Sequence, residues 1–230
     1  TKINYKENTQ LDFTFKKKIT AIKPILFCII PILFGFVFPF IFIVNNVIDN
    51  ILIFNFIDTL ILAFNSISLS LLASLLIVLV LFYILFVDKE YKTRASKTLN
   101  IFSSIGYALP GAVLALSLII MSSQIKDNII SVSLTGTYFL LIHAYFIRFM
   151  AVGKSPIKSS IDKMPDNLSE SAKSLGLGNF GLAKKLYLPL NKFALLTAFL
   201  LCFVDLMKEL PMTLILRPFN FDTLATKTYE

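Results

Sequence analysis

The sequence predicts an all-α membrane protein, a polytopic helical bundle with about five transmembrane helices. Of its 230 residues, 56% are hydrophobic and 16% are charged, and the mean hydropathy is +0.77. Soluble domains carry about 25% charged residues. The charged residues also occur in clusters separated by long uncharged stretches, and about 20 apolar residues in a helix cross the roughly 30 Å hydrocarbon layer of a membrane.

The uncharged stretches give the order of the predicted elements. A tail at 1–23 precedes a first transmembrane helix at 24–48, and a membrane domain at 55–230 follows. The last span has the shortest uninterrupted apolar part, because Lys192 lies near its start and Asp205 near its end. A lysine at such a position can extend its ammonium group to the membrane surface. The spans of the membrane domain are predicted at about 60–87, 104–125, 130–150 and 188–207.

The distribution of basic residues predicts the orientation of the chain. Of the 22 Lys and Arg residues, 17 lie in 1–23, 88–97 and 152–192. Cytoplasmic segments are enriched in basic residues, so the N-terminus and both loops are expected in the cytoplasm and 208–230 outside. The predicted location is the cell inner membrane, with multiple passes. A nucleic-acid partner is not expected, because the basic residues lie between apolar stretches.

The long loop between the fourth and fifth spans is predicted to contain a short helix. Asp166 is a helix-start residue, and Leu168, Ala172 and Leu175 follow at spacings of four and three, which is typical of one helical face. Gly176 is a residue that ends helices. A loop of this length is usually functional.

The centre of this loop resembles the EAA loop of ABC importer permeases. That pattern is Glu-Ala-Ala, three residues, Gly, nine residues, Ile, one residue and Leu-Pro. The departures here are Ser171 in place of the first Ala and Leu186 in place of Ile. The residues that carry the resemblance, at the same spacing, are Glu170-Ser171-Ala172, Gly176 and Leu186-Tyr187-Leu188-Pro189.

Other segments are similar to ferric-iron ABC importer permeases, so that the resemblance covers roughly residues 60–230. These segments are 106–111, 134–137 and 208–225. Permeases of this family are usually a fused pair of six-helix halves, and this chain resembles the second half without its final helix. The resemblance implies that 55–230 is a transmembrane domain of the type I ABC importer fold, and we expect a sixth helix after residue 230.

The resemblance implies a permease subunit that acts together with other proteins. The expected partners are ABC ATPase subunits, a periplasmic solute-binding protein, a second permease half and the lipid bilayer, and the expected substrate is ferric iron. ATP hydrolysis is expected in a separate subunit, and no catalytic, cofactor or metal residues are predicted in this chain. The coupling loop is 152–191, and the residues expected to couple it to the ATPase are Glu170, Ser171, Ala172, Gly176, Leu186, Leu188 and Pro189.

A second group of residues is predicted to serve helix packing or gating. Gly and Pro in the third span allow close helix contacts and remove a backbone donor. Asp205 and Lys208 have the spacing of an ion pair across one helical turn, and together with Glu209 they are interpreted as shaping the outer gate rather than binding iron. The full group is Gly106, Pro110, Gly111, Asp205, Lys208, Glu209 and Pro211.

Two other functions are compatible with the sequence. Related permeases that share the EAA loop import other small solutes, such as thiamine, a polyamine or an aminoethylphosphonate. A non-transporting membrane scaffold, whose basic loop binds anionic lipid, is the less favoured alternative. Gly153-Lys154-Ser155 has the ending of a phosphate-binding loop, but Arg148 occupies the position of its required first glycine, so no nucleotide site is predicted.

Overall fold

The computed structural model describes residues 18–50, 55–128 and 134–229. Within these ranges the chain forms helices and turns and contains no strand, which confirms the all-α prediction. Residues 1–17 of the predicted tail and residues 130–133 of the predicted fourth span lie outside the described ranges. The chain divides into two compact units, Thr1–Asn55 and Phe56–Glu230.

The first unit contains one long helical rod that changes its hydrogen-bond pattern at mid-length. Helix α1 (Lys18–Ile32) and helix α2 (Phe38–Asn50) are joined by a π-helical segment, Leu33–Val37. Prolines interrupt the α-helical pattern before and after this segment, because they lack the backbone donor. The part Pro24–Asn50 is long and apolar enough to cross a membrane, and it covers the stretch predicted as the first span.

The second unit contains long helices that are connected by short helices and turns. A 3₁₀ turn at Gly106–Ala108 and a π-helical segment at Leu182–Tyr187 join some of them. The helices are α3 (Phe56–Tyr91), α4 (Arg94–Phe102), α5 (Gly111–Asn128), α6 (Tyr138–Asp162), α7 (Asp166–Ser174), α8 (Asn179–Gly181), α9 (Leu188–Leu190), α10 (Lys192–Met207), α11 (Pro211–Leu216) and α12 (Leu224–Tyr229).

Helices α3, α6 and α10 pack against one another and form the core of this unit. Their buried side chains include Leu81 of α3, Leu141 of α6 and Cys202 of α10. The three helices meet closely at Gly153 of α6, where an added Cβ would lie 2.9 Å from Cys202 Sγ and 3.0 Å from Leu81 Cδ1. Small residues permit this kind of approach in membrane helix bundles.

Among the described residues, the membrane-length helices account for part of the five spans predicted. By length and composition two helices qualify among the described residues, the second being α3, or up to four if each of two bent pairs counts as one span. The bent pairs are α4 with α5, at 114°, and the segment Asn179–Leu190 with α10, at 75°. Helix α6 is not among them, and it carries the charged residues Arg148 and Lys154 within its length.

The helix boundaries also differ from the predicted span boundaries. In the span predicted at 104–125, α5 begins only at Gly111, because Pro110 disfavours the helical region for Leu109, which is extended. Helix α6 begins at Tyr138, where the Thr137 hydroxyl accepts a hydrogen bond from the Leu140 amide at 3.3 Å. It then continues to Asp162, so residues 152–162 of the predicted loop belong to α6.

Candidate functional site

The short helix predicted in the long loop is present as α7. Its first residue is Asp166, and the preceding Pro165 has an extended conformation. At its end the Gly176 amide donates to the Lys173 carbonyl at 2.9 Å and the Leu177 amide donates to the Ala172 carbonyl at 3.1 Å. This pair of bonds is a Schellman motif. It needs a residue with positive φ, and Gly176 has φ +84°.

The buried face of α7 is not the apolar line that the sequence predicts. Ala172 is buried together with Ser169, whereas Leu168 is exposed and Leu175 is 85% exposed. Ala172 therefore packs toward the protein, and the two leucines point away from it. Glu170 and Ser171 are exposed as well, so the Glu-Ser-Ala triplet contributes one inward residue and two outward ones.

Ion pairs hold α7 against the end of α3. Asp166, at the start of α7, lies 2.7 Å from Lys89 Nζ and 3.4 Å from Lys92 Nζ. Near the end of α7, Lys173 Nζ lies 2.6 Å from Glu90 Oε2. Hydrogen bonds from Lys89 and Lys92 lower the pKa of Asp166, and the hydrogen bond to Glu90 raises the pKa of Lys173. Both ends of α7 are thus fixed by opposite charges.

The second part of the EAA resemblance is anchored by a residue that is absent from the predicted coupling residues. Tyr187 is buried, donates a 2.5 Å hydrogen bond to Glu90 Oε1, and packs edge-on against Phe86 with ring centroids 5.0 Å apart. Of the residues predicted here, Leu186 is partly buried, whereas Leu188 and Pro189 are exposed. The structure therefore brings α7 and Tyr187 together on one carboxylate, that of Glu90.

A second cluster joins residues predicted for packing or gating. Arg148 Nη1 of α6 donates to Glu209 Oε1 at 3.3 Å, and the Met212 amide donates to the same oxygen at 3.4 Å. Glu209 is 8% exposed, and the Arg148 side chain is 19% exposed. The Arg148 guanidinium also lies over the rings of Tyr107 and Phe149, 5.9 Å and 5.7 Å from their centroids. Removing one partner of a buried ion pair costs about 3 to 5 kcal/mol, because the other charge is left uncompensated.

The two predicted glycines of this region permit the close approach. A Cβ added at Gly111 would collide with Arg148 Nη1 and lie 2.8 Å from Glu209 Oε1. A Cβ added at Gly106 would collide with the Ile147 carbonyl oxygen of α6. Pro110 immediately precedes α5, and Pro211 is the first residue of α11.

The charged residues predicted at the end of α10 do not act as one group. Lys208 Nζ lies 3.4 Å from Asp205 Oδ1, which is the spacing-three ion pair. Glu209 is instead paired with Arg148, which lies 61 positions earlier in the chain. The sequence did not indicate this pair, since it carries no local spacing signal. Among the described residues, no group of three or more His, Cys, Asp or Glu side chains is placed to hold a metal ion.

The fold and these two clusters define a helical protein with apolar helices of membrane length and with a short helix, held by ion pairs, in its longest polar connection. The family model for "binding-protein-dependent transport system inner membrane component" matches residues 85–225, and the chain belongs to this family. The match confirms the predicted resemblance to importer permeases, and it includes both α7 and the Arg148–Glu209 pair.

One curated relative is similar to this chain over most of the length of this chain. It is the Fe(3+)-transport system permease protein FbpB 2 of Haemophilus influenzae, which is 29% identical over 166 residues. The aligned part is 72% of this chain and 32% of that protein, so the chain spans about a third of the length of the relative it matches.

Proposed function

We propose that this chain forms part of the translocation path of a binding-protein-dependent ABC importer and that α7 couples it to separate ATPase subunits. The observation that carries the proposal is the combination of exposed apolar side chains and fixed helix ends in α7. Leu168 and Leu175 point outward, and Phe180 of the following α8 is also exposed. An amphipathic helix that presents apolar residues in this way suits a groove on another protein.

The anchoring of α7 suits the transmission of motion. Asp166 and Lys173 attach its two ends to Lys89 and Glu90. Both of these residues lie in the last turn of α3. A displacement imposed on α7 by a partner therefore reaches a membrane helix through charged contacts rather than through a loose loop. Movements of packed helices of this kind are a common basis of switching between two states.

We propose ferric iron as the transported solute. The support is the similarity of segment 208–225 to ferric-iron importer permeases, together with the relative whose name specifies Fe(3+) transport. The solute is expected to arrive on a periplasmic binding protein and to pass between this chain and a second permease half. In this arrangement the N-terminus is cytoplasmic, because 17 of the 22 Lys and Arg residues lie in 1–23, 88–97 and 152–192, and cytoplasmic segments are enriched in basic residues.

The proposal is tested by uptake of radiolabelled ferric iron in cells that lack the gene, complemented with the intact protein or with a Leu175→Asp variant. We expect the intact protein to restore uptake and the variant to reach the membrane without restoring it. Uptake that stays unchanged in the knockout would discard ferric iron as the substrate. Uptake of thiamine, a polyamine or an aminoethylphosphonate is then measured in the same strains.

A separate measurement distinguishes the importer from a membrane scaffold. Neutral replacements of the loop lysines Lys184 and Lys185 weaken a lipid-binding scaffold in a salt-dependent way. An importer depends instead on Gly176 and on the exposed leucines of α7. Full function of a Gly176→Glu variant, together with loss of function in the lysine variants, would favour the scaffold. Neighbouring reading frames for an ATPase and a secreted binding protein would support the importer.

A further inference from the structure

We propose that the Arg148–Glu209 ion pair is a latch that holds the translocation domain in the conformation described here and opens during each transport cycle. This inference rests on the proposed importer function. It assigns a role to two residues outside α7. The latch acts by positioning helices rather than by touching the transported solute.

The pair lies where the connections between two pairs of consecutive helices meet the continuous α6. Helices α4 and α5 are separated by residues 103–110 and bent by 114°, and α10 and α11 are separated by residues 208–210. Arg148 lies in the middle of the uninterrupted α6 and contacts both breaks: Tyr107 and Gly111 on one side and Glu209 on the other. Discontinuous helices are frequent where membrane transporters change conformation.

A second contact ties Glu209 to α6 through its backbone. The Thr213 hydroxyl donates to the Glu209 carbonyl at 2.6 Å and lies 2.5 Å from the Tyr145 hydroxyl. Because the single proton of Thr213 is used on that carbonyl, Tyr145 is the donor between the two hydroxyls. Tyr145 is one helical turn before Arg148, so α6 holds Glu209 at both its carboxylate and its main chain.

The ion pair is built to separate as well as to form. The Nε atom of Arg148 is buried, and the described part of the chain offers it no hydrogen-bond partner. The Arg148 guanidinium therefore contacts the Glu209 carboxylate mainly through one hydrogen bond from Nη1, at 3.3 Å. A bidentate pair would have two parallel hydrogen bonds. A single bond of this length breaks over a smaller displacement than two parallel bonds would, and the charges that it leaves must then be met by water or by other groups in the opened conformation. The contact between the Tyr145 and Thr213 hydroxyls, in contrast, involves no charge, and both hydroxyl protons have an acceptor.

Helix α6 also connects the latch to the proposed coupling helix. It runs without interruption from Arg148 to Asp162, and only Lys163–Pro165 separate its end from α7. A displacement of α7 is therefore passed along the same helix that carries Arg148. Opening of the ion pair would let the segments after the two breaks move relative to α6, as alternating access requires.

The test uses the assembled transporter in proteoliposomes, with its ATPase subunits and with binding protein loaded with ferric iron. The measured quantities are the amount of chain in the membrane, ATP hydrolysis without binding protein, and iron transported per ATP hydrolysed. The variants are Arg148→Gln, Glu209→Gln and their combination. Lys208→Gln, which removes the exposed Asp205–Lys208 pair nearby, and Lys158→Gln, which removes the exposed Lys158–Asp162 pair of α6, are the controls.

For a latch we expect the single variants to accumulate less, because each leaves a buried charge unpaired, and the double variant to regain a normal membrane level. The double variant should still transport less iron per ATP, by about fivefold or more, a loss within the range of typical coupling between sites. It should also hydrolyse more ATP without binding protein, whereas both controls keep the ratio of the intact protein.

Two results would overturn the latch. A double variant that regains both the membrane level and the normal ratio shows that the pair serves packing alone. A double variant that still fails to accumulate assigns the pair to folding. Failure of the proposed function is separate from both results, because it is seen in the unaltered transporter as ATP hydrolysis that does not respond to loaded binding protein.

Discussion

The Lys173 ammonium lies 2.6 Å from a carboxylate oxygen of Glu90, so the end of α7 is attached to the end of α3. The Glu90 side chain is 5% exposed, and its other carboxylate oxygen accepts a hydrogen bond from the Tyr187 hydroxyl. One buried carboxylate therefore joins the two parts of the segment that resembles the EAA loop. These parts are 14 positions apart in the sequence, between Lys173 and Tyr187.

Replacing Glu90 should loosen this attachment. In Glu90→Gln the charge is lost and both hydrogen bonds are weakened, which we expect to cost about 1 to 2 kcal/mol of docking free energy. Amide hydrogen exchange in α7 should become faster, and iron uptake should fall several-fold at an unchanged membrane level. Lys158→Gln, which removes the exposed ion pair to Asp162 at 3.9 Å, is the matched control. Unchanged exchange in α7 would show that Glu90 does not hold it.

Glycine is required at position 176 and not at position 178. Gly176 has φ +84°, where an added Cβ meets no neighbouring atom, so the cost of Gly176→Ala comes from the backbone alone. That cost is about 1 to 2 kcal/mol. Gly178 has φ −72° and equal space, so Gly178→Ala should be tolerated. The two variants are compared by iron uptake and by the amide hydrogen exchange of residues 166–177. Equal effects of the two substitutions would contradict the role of the Schellman motif.

The exposed leucine at the end of α7 should matter for association rather than for folding. Leu175 is 85% exposed, and burial of such a side chain in a partner groove contributes about 1.5 to 3 kcal/mol. We expect Leu175→Ser to weaken copurification of the ATPase subunits about tenfold or more. Phe219→Ser is the control, because Phe219 is 99% exposed in the segment after α11. Normal ATPase association of Leu175→Ser would contradict docking through α7.

Acid should release the start of α7. Lys89 and Lys92 lower the pKa of Asp166, so its ionised form is favoured in the folded chain. The resulting stabilisation is complete above the ordinary aspartate pKa, about 4, and is lost as the pH falls through the lowered value. A fluorophore attached at Phe180→Cys, after Cys28 and Cys202 are replaced, should report a transition below about pH 4. The transition should be weaker in Asp166→Asn, and an identical transition in that variant would exclude this carboxylate as its origin.

The position of α7 could be predicted from the sequence because its signals are local. Asp166 begins the helix and Gly176 ends it, and both act within one turn of their own positions. The exposed face could not be predicted in the same way. Leu168 and Leu175 have the spacing of a buried face, but Ala172 and Ser169 are the buried residues. An exposed apolar side chain has the same sequence pattern as one that packs in the core.

The Arg148–Glu209 pair shows where prediction from spacing ends. Asp205 and Lys208 do form the pair that their spacing indicates, because both lie on the turn at the end of α10. Glu209 is one residue further, after α10 has ended, and the chain there turns its carboxylate toward α6. Likewise, Pro110 indicated an irregularity within the third span. The structure shows a break from residue 103 to residue 110, and this break depends on how Gly106 packs against α6.

Helix α6 is about 38 Å long at 1.5 Å per residue, and it carries a proline at position 156 between Arg148 and α7. Proline removes one hydrogen bond from the helix interior, which makes that turn the most compliant part of a stiff rod. In mechanical terms, α6 is then a lever with a built-in flexure. In the proposed importer, force applied to α7 would bend the rod at Pro156 before it reached Arg148, so Pro156 would set how much of an ATPase stroke arrives in the membrane.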